Sequence, residues 1–441
     1  MILYKHSVVS DGEKCTGCTH CLRHCPTEAI RIRGGKAVID SARCIDCSEC
    51  IRVCPHKAKS ADFDALAELD FANDYIIALP DPTLYGQFPQ LRDVDALPGA
   101  LLSVGFSDVY EVAKAAELHT EYTRLYLQQP TVARPVLSSN CPVIVRLISL
   151  RFPLLRDRLL PLAPPMELAA KFARERALFA HPDLDPARVK TAFISPCPAR
   201  VSWVKNTPEG KVQDIDYVLS VRELFFRLRP LLTGTEDRPS EVGKIGLGWA
   251  ASHGEASALM NDCYLAADGI ENVTRVLDNI ETGSMPDLEF VELRACHAGC
   301  VGGLLNVENP YIARVRLNTL RRLLPVSRNR LPREAYGTAQ VPQELLTMWP
   351  MDFSTADVLA GDRKSRLEMM AKINRIAATL PGRDCGGCGA PNCRAFAQDV
   401  ARGEAKASDC VVFMKERLER LLTGEGSGIG AQGTGESDDG I

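Results

Sequence analysis

Cysteines dominate the residues of this chain that could do chemistry, and eight of the 17 lie in two short runs near the amino terminus. The segments CTGCTHCLRHCP and CIDCSECIRVCP share the spacing C-x2-C-x2-C-x3-C-P. Thiolates at this spacing wrap a loop around a 4Fe-4S cubane, and where two runs occur the fourth cysteine of each binds the other cluster. We therefore predict one cluster on Cys15, Cys18, Cys21 and Cys54, and a second on Cys44, Cys47, Cys50 and Cys25. Zinc is the alternative for any single C-x2-C pair, but two complete runs with both prolines favour iron and sulfide.

A third group lies near the carboxyl terminus, in the segment CGGCGAPNC and the later Cys410. Its glycines allow the backbone to approach a cluster closely. The pattern resembles the small iron-sulfur domain at the end of several anaerobic redox proteins. We predict that Cys385, Cys388, Cys393 and Cys410 form one site that holds a 4Fe-4S cluster, with zinc as the alternative.

Four single cysteines are scattered between these two ends, in SSNCP (Cys141), SPCPAR (Cys197) and ELRACHAGCVGG (Cys296 and Cys300). The last two are spaced i, i+4 and can face one point, and the second and third segments follow apolar, strand-like runs. Strand ends are where α/β folds present functional residues, so we expect the four thiols to meet. Small buried hydrophobes are the alternative reading. That reading is the one we prefer for Cys263, which has no motif around it.

The elements between the cysteines predict an α/β fold, because strand-like and helix-like segments alternate. YIIALP, RVKTAFIS and DYVLS read as strands, whereas LPGALLSVGF and VRELFFRL read as helices. Farther along, KSRLEMMAKINRIAATL places Leu367, Met370, Ile373, Ala377 and Leu380 on one helix face, which we expect to pack in a core. The polar, proline-containing stretch before it reads as a linker.

The composition of the chain limits which kinds of binding partner are expected. A net charge of -4 gives no attraction to nucleic acid or to an anionic membrane surface. The sequence contains no stretch of about 18 uncharged apolar residues and no secretory pattern, so we expect a cytoplasmic protein without membrane insertion. Its cysteines are then expected to bind metal rather than to form disulfides.

These observations predict six segments. They are a two-cluster ferredoxin domain (1–60), a connector (61–74), an α/β domain (75–326), a linker (327–363), a carboxyl-terminal 4Fe-4S domain (364–416) and a disordered tail (417–441).

The scattered segments carry a family resemblance. SSNCP, SPCPAR and ELRACHAGCVGG resemble the three signature segments of the iron-iron hydrogenase catalytic domain, and the similarity runs from about Tyr75 to about Leu324. The resemblance implies a two-lobed α/β domain with its active centre between the lobes. It also implies that Cys141, Cys197, Cys296 and Cys300 hold a 4Fe-4S cluster, which Cys300 bridges to a two-iron subsite carrying carbonyl, cyanide and dithiolate ligands.

The sequence departs from that family at positions implied to line the two-iron subsite. Asn140 stands where hydrogen-producing members have a proton-relaying cysteine, and an amide does not titrate near neutral pH. Arg200 replaces a lysine, Trp203 a glutamate and Arg294 a methionine. The two arginines are expected either to retune the subsite or to fill its pocket.

Such departures resemble the sensory branch of the family. They imply slow hydrogen oxidation or hydrogen sensing, with hydrogen and protons as substrates, electrons relayed through the clusters to a ferredoxin-like or other redox partner, and a separate signalling protein. The alternative is an electron-transfer or iron-sulfur carrier protein without the two-iron subsite. A third reading is an ordinary hydrogenase with a rerouted proton path.

Overall fold

The structure is a computed structural model that describes residues 5–207, 214–234, 236–285, 287–332, 340–346 and 362–422. Its residues fall into two compact units. The first contains residues 5–15, His24–Ala29 and the described residues of 40–346, and the second contains Thr16–Arg23, Ile30–Ile39 and residues 362–422. Residues 423–441 of the predicted tail, and much of the predicted linker, lie outside the described residues.

The strands are short and mostly buried. In chain order they are β1 Val8–Ser10, β2 Ile30–Arg33, β3 Lys36–Ile39, β4 Lys59–Ala61, β5 Tyr75–Pro80, β6 Asp108–Val109, β7 Val136–Leu137, β8 Val189–Ser195, β9 Tyr217–Ser220, β10 Tyr264–Asp268 and β11 Phe290–Arg294.

The α-helices occur in both units. They are α1 His20–Arg23, α2 Glu49–Arg52, α3 Ala96–Val104, α4 Val112–Leu127, α5 Pro142–Arg151, α6 Pro165–Ala180, α7 Pro198–Lys205, α8 Val221–Leu228, α9 Lys244–Gly248, α10 Gly254–Ala258, α11 Ile270–Glu281, α12 Pro310–Arg321, α13 Arg363–Thr379, α14 Cys393–Ala401 and α15 Val411–Leu422.

The first unit is built on a parallel four-stranded sheet with the order β6-β5-β8-β9. Alternate residues of β5 face opposite sides, so Ile77 and Leu79 pack in one core whereas Ile76 and Ala78 pack in another. A parallel sheet covered on both faces accounts for the continuous apolar run YIIALP.

A second parallel sheet, with the order β10-β11-β7, completes the first unit. Val291 and Leu293 of β11 share a core with Ile77 and Leu79 of β5, so this core joins the two sheets. The α/β fold class predicted from the sequence is confirmed.

The second unit combines the antiparallel hairpin β2–β3 with helices α13 to α15. Its core contains Ile373, Leu380 and Phe396. The expectation that the whole apolar face of α13 is buried is wrong at its start, where Leu367 is 58% exposed and Met370 is 48% exposed. Helix α15 continues to Leu422, so residues 417–422 of the predicted tail are helical.

Part of the predicted linker is anchored in the first unit. The buried carboxylate of Glu117 accepts hydrogen bonds from the backbone N–H groups of Arg328 and Asn329, at 2.9 and 3.0 Å. Leu345 is buried in the core that joins the sheets. These residues therefore belong structurally to the α/β domain. Among the described helices, none is long and apolar enough to cross a membrane.

Candidate iron-sulfur centres

The four scattered cysteines meet beyond the carboxyl ends of strands from both sheets. Cys141 lies a short distance after β7 and directly precedes α5, and Cys197 lies in the same position between β8 and α7. Each is followed by a proline at the first helical position, where the missing N–H costs nothing. The positive ends of two helices therefore face the site, which favours thiolate sulfur.

The third segment reaches the site through a tight turn after β11. Cys296 and Cys300 flank Gly299, whose φ is 89°, a value that favours glycine. A side-chain Cβ at this glycine would lie 2.3 Å from the backbone nitrogen of Ser252. The turn therefore requires glycine for both its conformation and its packing.

The four thiols are close enough to influence each other's ionisation. Burial is the main cause that raises the pKa of Cys197 well above 9, and the nearby Cys296, Cys141 and Cys300 raise it further. Burial likewise raises the pKa of Cys296 to about 12. Buried thiolates of like charge need a compensating cation, and the irons of a cubane supply it. The donor set therefore fits a 4Fe-4S cluster, and its assignment as the ligand set stays our prediction.

Arg200, on α7, is buried and directed at Cys300. Its Nη2 lies 3.7 Å from Cys300 Sγ, while Nη1 donates to the buried carboxylate of Asp81. Burial disfavours the charged guanidinium, but Asp81 and the nearby thiols outweigh it and the pKa of Arg200 is raised. The cation is thus permanently charged and fixed in position.

Arg294 approaches the same sulfur from β11 and is 1% exposed. Its Nη1 lies 3.6 Å from Cys300 Sγ, its Nη2 donates to Glu255 Oε2 at 2.8 Å, and its Nε donates to Glu292 Oε1 at 3.2 Å. Two buried carboxylates therefore fix this guanidinium beside Cys300. Burial raises the pKa of Glu255 to about 7 despite the positive charge of Arg294.

Asn140 completes this cationic side of the site. With its amide oxygen turned toward β11, it accepts hydrogen bonds from Arg294 Nη1 at 2.6 Å and from Nη2 at 3.3 Å. The opposite orientation would place N–H groups against N–H groups, so the hydrogen-bond network assigns this one. Asn140 therefore holds Arg294 in place, a role that a cysteine would perform poorly.

A two-iron subsite bridged by Cys300 does not fit this arrangement. The cavity beside Cys300 has a free volume of about 10 Å³, room for about one water molecule. The cavity at the carboxyl-terminal cysteines has the same free volume of about 10 Å³, so volume alone does not separate the two sites. The difference lies in the side chains. Two guanidinium groups lie within 3.7 Å of Cys300 Sγ, and each of them is paired with a buried carboxylate.

The second ferredoxin-type set also comes together within the first unit. Burial raises the pKa of Cys44 well above 9, and Cys50 and Cys25 raise it further by charge repulsion. Cys47 is affected in the same way by Cys25 and Cys50. The backbone N–H of Ala29 donates to Cys25 Sγ at 3.2 Å, a hydrogen bond typical of cluster thiolates. This donor set fits a 4Fe-4S cluster.

The first ferredoxin-type set is divided between the two units. Cys15 and Cys54 belong to the first unit, whereas Cys18 and Cys21 belong to the second. Their common site stays a prediction.

The carboxyl-terminal set lies within the second unit. Cys385, Cys388, Cys393 and Cys410 line one cavity together with Phe396 and Leu380. Burial raises the pKa of Cys388, and Cys410 and Cys385 add to that rise. Cys385 is exposed and Cys410 is buried, so the site is accessible from one side. Among the described residues, no group of three or more His, Cys, Asp or Glu is spaced to hold a single metal ion.

Sequence reasoning missed the partners of the arginines. Asp81, Glu255 and Glu292 carry no motif that would have pointed to Arg200 or Arg294, although all three are buried. The expectation for Cys263 is wrong. This cysteine is exposed and lines a cavity of about 510 Å³ together with Arg134 and Arg158.

Comparison with known proteins places these sites in families. Residues 74–234 and 252–303 match the family described as "Iron only hydrogenase large subunit, C-terminal domain". Residues 7–55 match the family described as "4Fe-4S dicluster domain", and residues 380–412 match an Fe-S cluster family.

Curated relatives match over shorter stretches. A subunit of the ion-translocating oxidoreductase complex of Azoarcus sp. (strain BH72) is 38% identical over 56 residues, which is 13% of this chain and 31% of that protein. The corresponding subunit from Rhodobacter capsulatus is 44% identical over 51 residues, 12% of this chain and 27% of that protein. The chain thus spans less than a third of the length of these relatives.

Solved structures of FeFe-hydrogenases are also similar. HydA(deltaEFG), described in a study of stepwise H-cluster assembly, is 16% identical, with a TM-score of 0.48 over 62% of this chain and 92% of that one. HydA1 of Chlamydomonas reinhardtii is 16% identical, with a TM-score of 0.47 over 60% of this chain and 88% of that one. The family matches therefore place an iron-only-hydrogenase-like domain in the middle of the chain, a ferredoxin-like domain at its amino-terminal end and an Fe-S domain at its carboxyl-terminal end.

Proposed function

We propose that this chain is an electron-transfer protein with four 4Fe-4S clusters, in which two arginines occupy the place of the two-iron subsite. The observation that carries the proposal is the pair of guanidinium contacts to Cys300 Sγ, at 3.7 Å from Arg200 and 3.6 Å from Arg294. The family resemblance implies that in hydrogenases the equivalent sulfur bridges the 4Fe-4S cluster and the two-iron subsite. Here Cys300 Sγ contacts two cations that are fixed by buried carboxylates.

The energetics of the arginines support the proposal. Moving Arg294 out of the way would leave Glu255 and Glu292 as buried carboxylates without their cation. Breaking a buried ion pair by removing one partner costs about 3–5 kcal/mol. Binding a metal subsite that displaced both arginines would break two such ion pairs, because Arg200 is likewise paired with the buried Asp81.

The names of the curated relatives also point to electron transfer, since each is a subunit of an oxidoreductase complex. Hydrogen oxidation or sensing stays a prediction. It requires the two-iron subsite and a proton path, and Asn140, which binds Arg294, offers no titratable group to that path.

The test is an infrared spectrum of the anaerobically prepared protein after incubation with a synthetic two-iron precursor. We expect no carbonyl or cyanide bands from the wild-type chain and about sixteen iron atoms per chain, from four clusters of four. Bands from the wild-type chain that shift under hydrogen would overturn the proposal in favour of hydrogen sensing.

A matched variant shows that the loading procedure works and that the arginines are the obstacle. It combines R200K and R294M, which restore the residue types implied by the family resemblance, with E255Q, which avoids a buried unpaired carboxylate. We expect carbonyl and cyanide bands from this variant alone. A wild-type chain that loads as well as the variant would contradict the role of the arginines.

A further inference from the structure

The loop of the second ferredoxin-type site, residues 44–52, is hydrogen bonded to the segments that carry the four-cysteine site. Arg146, five residues after Cys141 on α5, donates from Nε to the carbonyl oxygen of Cys44 at 2.9 Å. Ser202, five residues after Cys197 on α7, donates from Oγ to Asp46 Oδ2 at 2.5 Å. Helices α5 and α7 each begin next to a cysteine of the four-cysteine site. Near the end of its first turn, each helix therefore contacts the loop of the second ferredoxin-type site.

The third segment is joined to the same loop by Arg52. This residue lies on α2 between Cys50 and Cys54, and its Nη2 donates to the carbonyl oxygen of Gly302 at 2.6 Å. The same nitrogen lies 3.9 Å from Cys296 Sγ. Cys296 thus faces the ferredoxin-type loop, whereas Cys300 faces Arg200 and Arg294.

Charges of opposite sign on α2 act on Cys296. Glu49 Oε1 lies 3.5 Å from Arg52 Nε, and both side chains are about a third exposed, at 32% and 34%. Helix α2 therefore places a cation 3.9 Å from Cys296 Sγ and a carboxylate 3.5 Å from that cation.

We propose that Arg52 is a positioning residue for electron exchange between the two centres, and that its charge stabilises the reduced form of the four-cysteine cluster. The inference rests on the proposed function, because both sites must hold 4Fe-4S clusters. With a cluster held by Cys25, Cys44, Cys47 and Cys50 and another by Cys141, Cys197, Cys296 and Cys300, the step would transfer one electron from the first to the second, with no bond made or broken. The added negative charge is stabilised by the cation beside Cys296, since net charge and hydrogen bonds to sulfur set cluster potentials.

Solvent limits the size of the effect. Because Arg52 is 34% exposed, its charge is partly screened, and we expect its loss to change the electron-transfer equilibrium about threefold. A threefold change corresponds to about 28 mV for a one-electron couple.

The experiment is a redox titration of the full-length, cluster-loaded chain, followed by electron paramagnetic resonance. The component that belongs to the four-cysteine cluster is identified as the one missing from the double variant C141A/C197A. In R52Q the midpoint potential of this component should fall. In R52K, which keeps the positive charge but lacks the planar guanidinium group, the potential should fall less. E49Q is the matched control of opposite sign and should raise the potential.

The outcomes separate this inference from the proposed function. If wild type and C141A/C197A have the same iron content and the same components, the four-cysteine cluster is absent and the proposed function fails. If the component is present but keeps its potential in both R52Q and E49Q, at wild-type iron content, the role of Arg52 is overturned. If R52Q does not retain the cluster, E49Q provides the test, because it leaves the hydrogen bond between Arg52 and Gly302 intact. An upward shift of the potential in E49Q then supports the role of Arg52, and an unchanged potential overturns it.

Discussion

Arg31 and Asp399, 368 positions apart in the chain, form a two-point ion pair in which Arg31 Nε donates at 2.7 Å and Nη2 at 3.1 Å. Arg33 adds a third donor at 2.6 Å to the same carboxylate, whose side chain is 2% exposed. Beside them the backbone N–H of Ile32 donates to the carbonyl oxygen of Gly389 at 2.9 Å. One buried aspartate on α14 thus holds the β2–β3 hairpin in the second unit.

Asp399→Asn is expected to loosen that hairpin, because the largely buried Arg31, whose side chain is 14% exposed, loses the charge that compensates it. Breaking such a pair costs about 3–5 kcal/mol. Hydrogen exchange followed by mass spectrometry should show faster exchange across residues 30–39, with little change in β5 and β8. Arg33→Gln is the milder control, since Arg33 is 32% exposed and Arg31 still pairs with Asp399. Unchanged exchange in Asp399→Asn would contradict the role of this ion pair.

Arg294→Met is expected to destabilise the first unit by up to about 3–5 kcal/mol well above pH 7, where an ionised Glu255 would keep only the hydroxyl of Ser138 as a donor on its carboxylate in the described structure. Glu292 fares better because the backbone N–H groups of His253 and Ala256 also donate to it. Adding E255Q should therefore recover part of the loss. Urea midpoints of cluster bleaching for the two single variants and the double variant measure this coupling. Strictly additive effects would show that the two residues are not coupled.

The protonation of Glu255 should be visible near neutral pH. Its folded pKa of about 7 lies above the ordinary value of 4.5, mainly because of burial, with Glu292 raising it further and Arg294 opposing the rise. The folded state therefore holds this proton more tightly, so its stabilising contribution is complete below about pH 4.5 and is lost as pH rises through 7. An infrared pH titration should show a buried carboxylic acid band that disappears near pH 7. The band should be missing from E255Q, and a band that persists in E255Q would belong to another group.

Iron content should report the cysteine sets separately. C44A/C47A and C385A/C388A are each expected to lose about four iron atoms per chain, because each pair belongs to one predicted cubane. Cys263→Ser should lose none, since this exposed cysteine is in neither set. Zinc in the wild-type chain that disappears in C385A/C388A would replace the cluster assignment at the carboxyl-terminal site.

Much of the site could be predicted because cysteine spacing and strand order are local in sequence. The strand YIIALP occupies Tyr75–Pro80 as expected, and VRELFFRL forms the helix Val221–Leu228. The convergence of Cys141, Cys197, Cys296 and Cys300 was predicted from segments that follow strand-like runs and from the family resemblance of three short segments.

The environment of Cys300 could not be predicted in the same way. Asp81 lies 119 positions from Arg200, and Glu255 lies 39 positions from Arg294, so no spacing rule connects them. The sequence left open whether the arginines retune a metal subsite or fill its pocket, and our proposal favours the second reading because of their buried carboxylate partners. Cys263 and Leu367 were wrongly expected to be buried for a related reason. Their exposure depends on residues that are distant in the sequence rather than on their sequence neighbours.

The second unit draws residues 16–23 and 30–39 from one end of the chain and residues 362–422 from the other. During synthesis the hairpin emerges from the ribosome first, and the aspartate that holds it emerges more than three hundred residues later. At about 5–20 residues per second, the wait is tens of seconds. The nascent chain therefore passes through a period in which the α/β domain can fold but the hairpin lacks Asp399 and helices α13 to α15. The hairpin can therefore complete the second unit only after residues 362–422 have been synthesised.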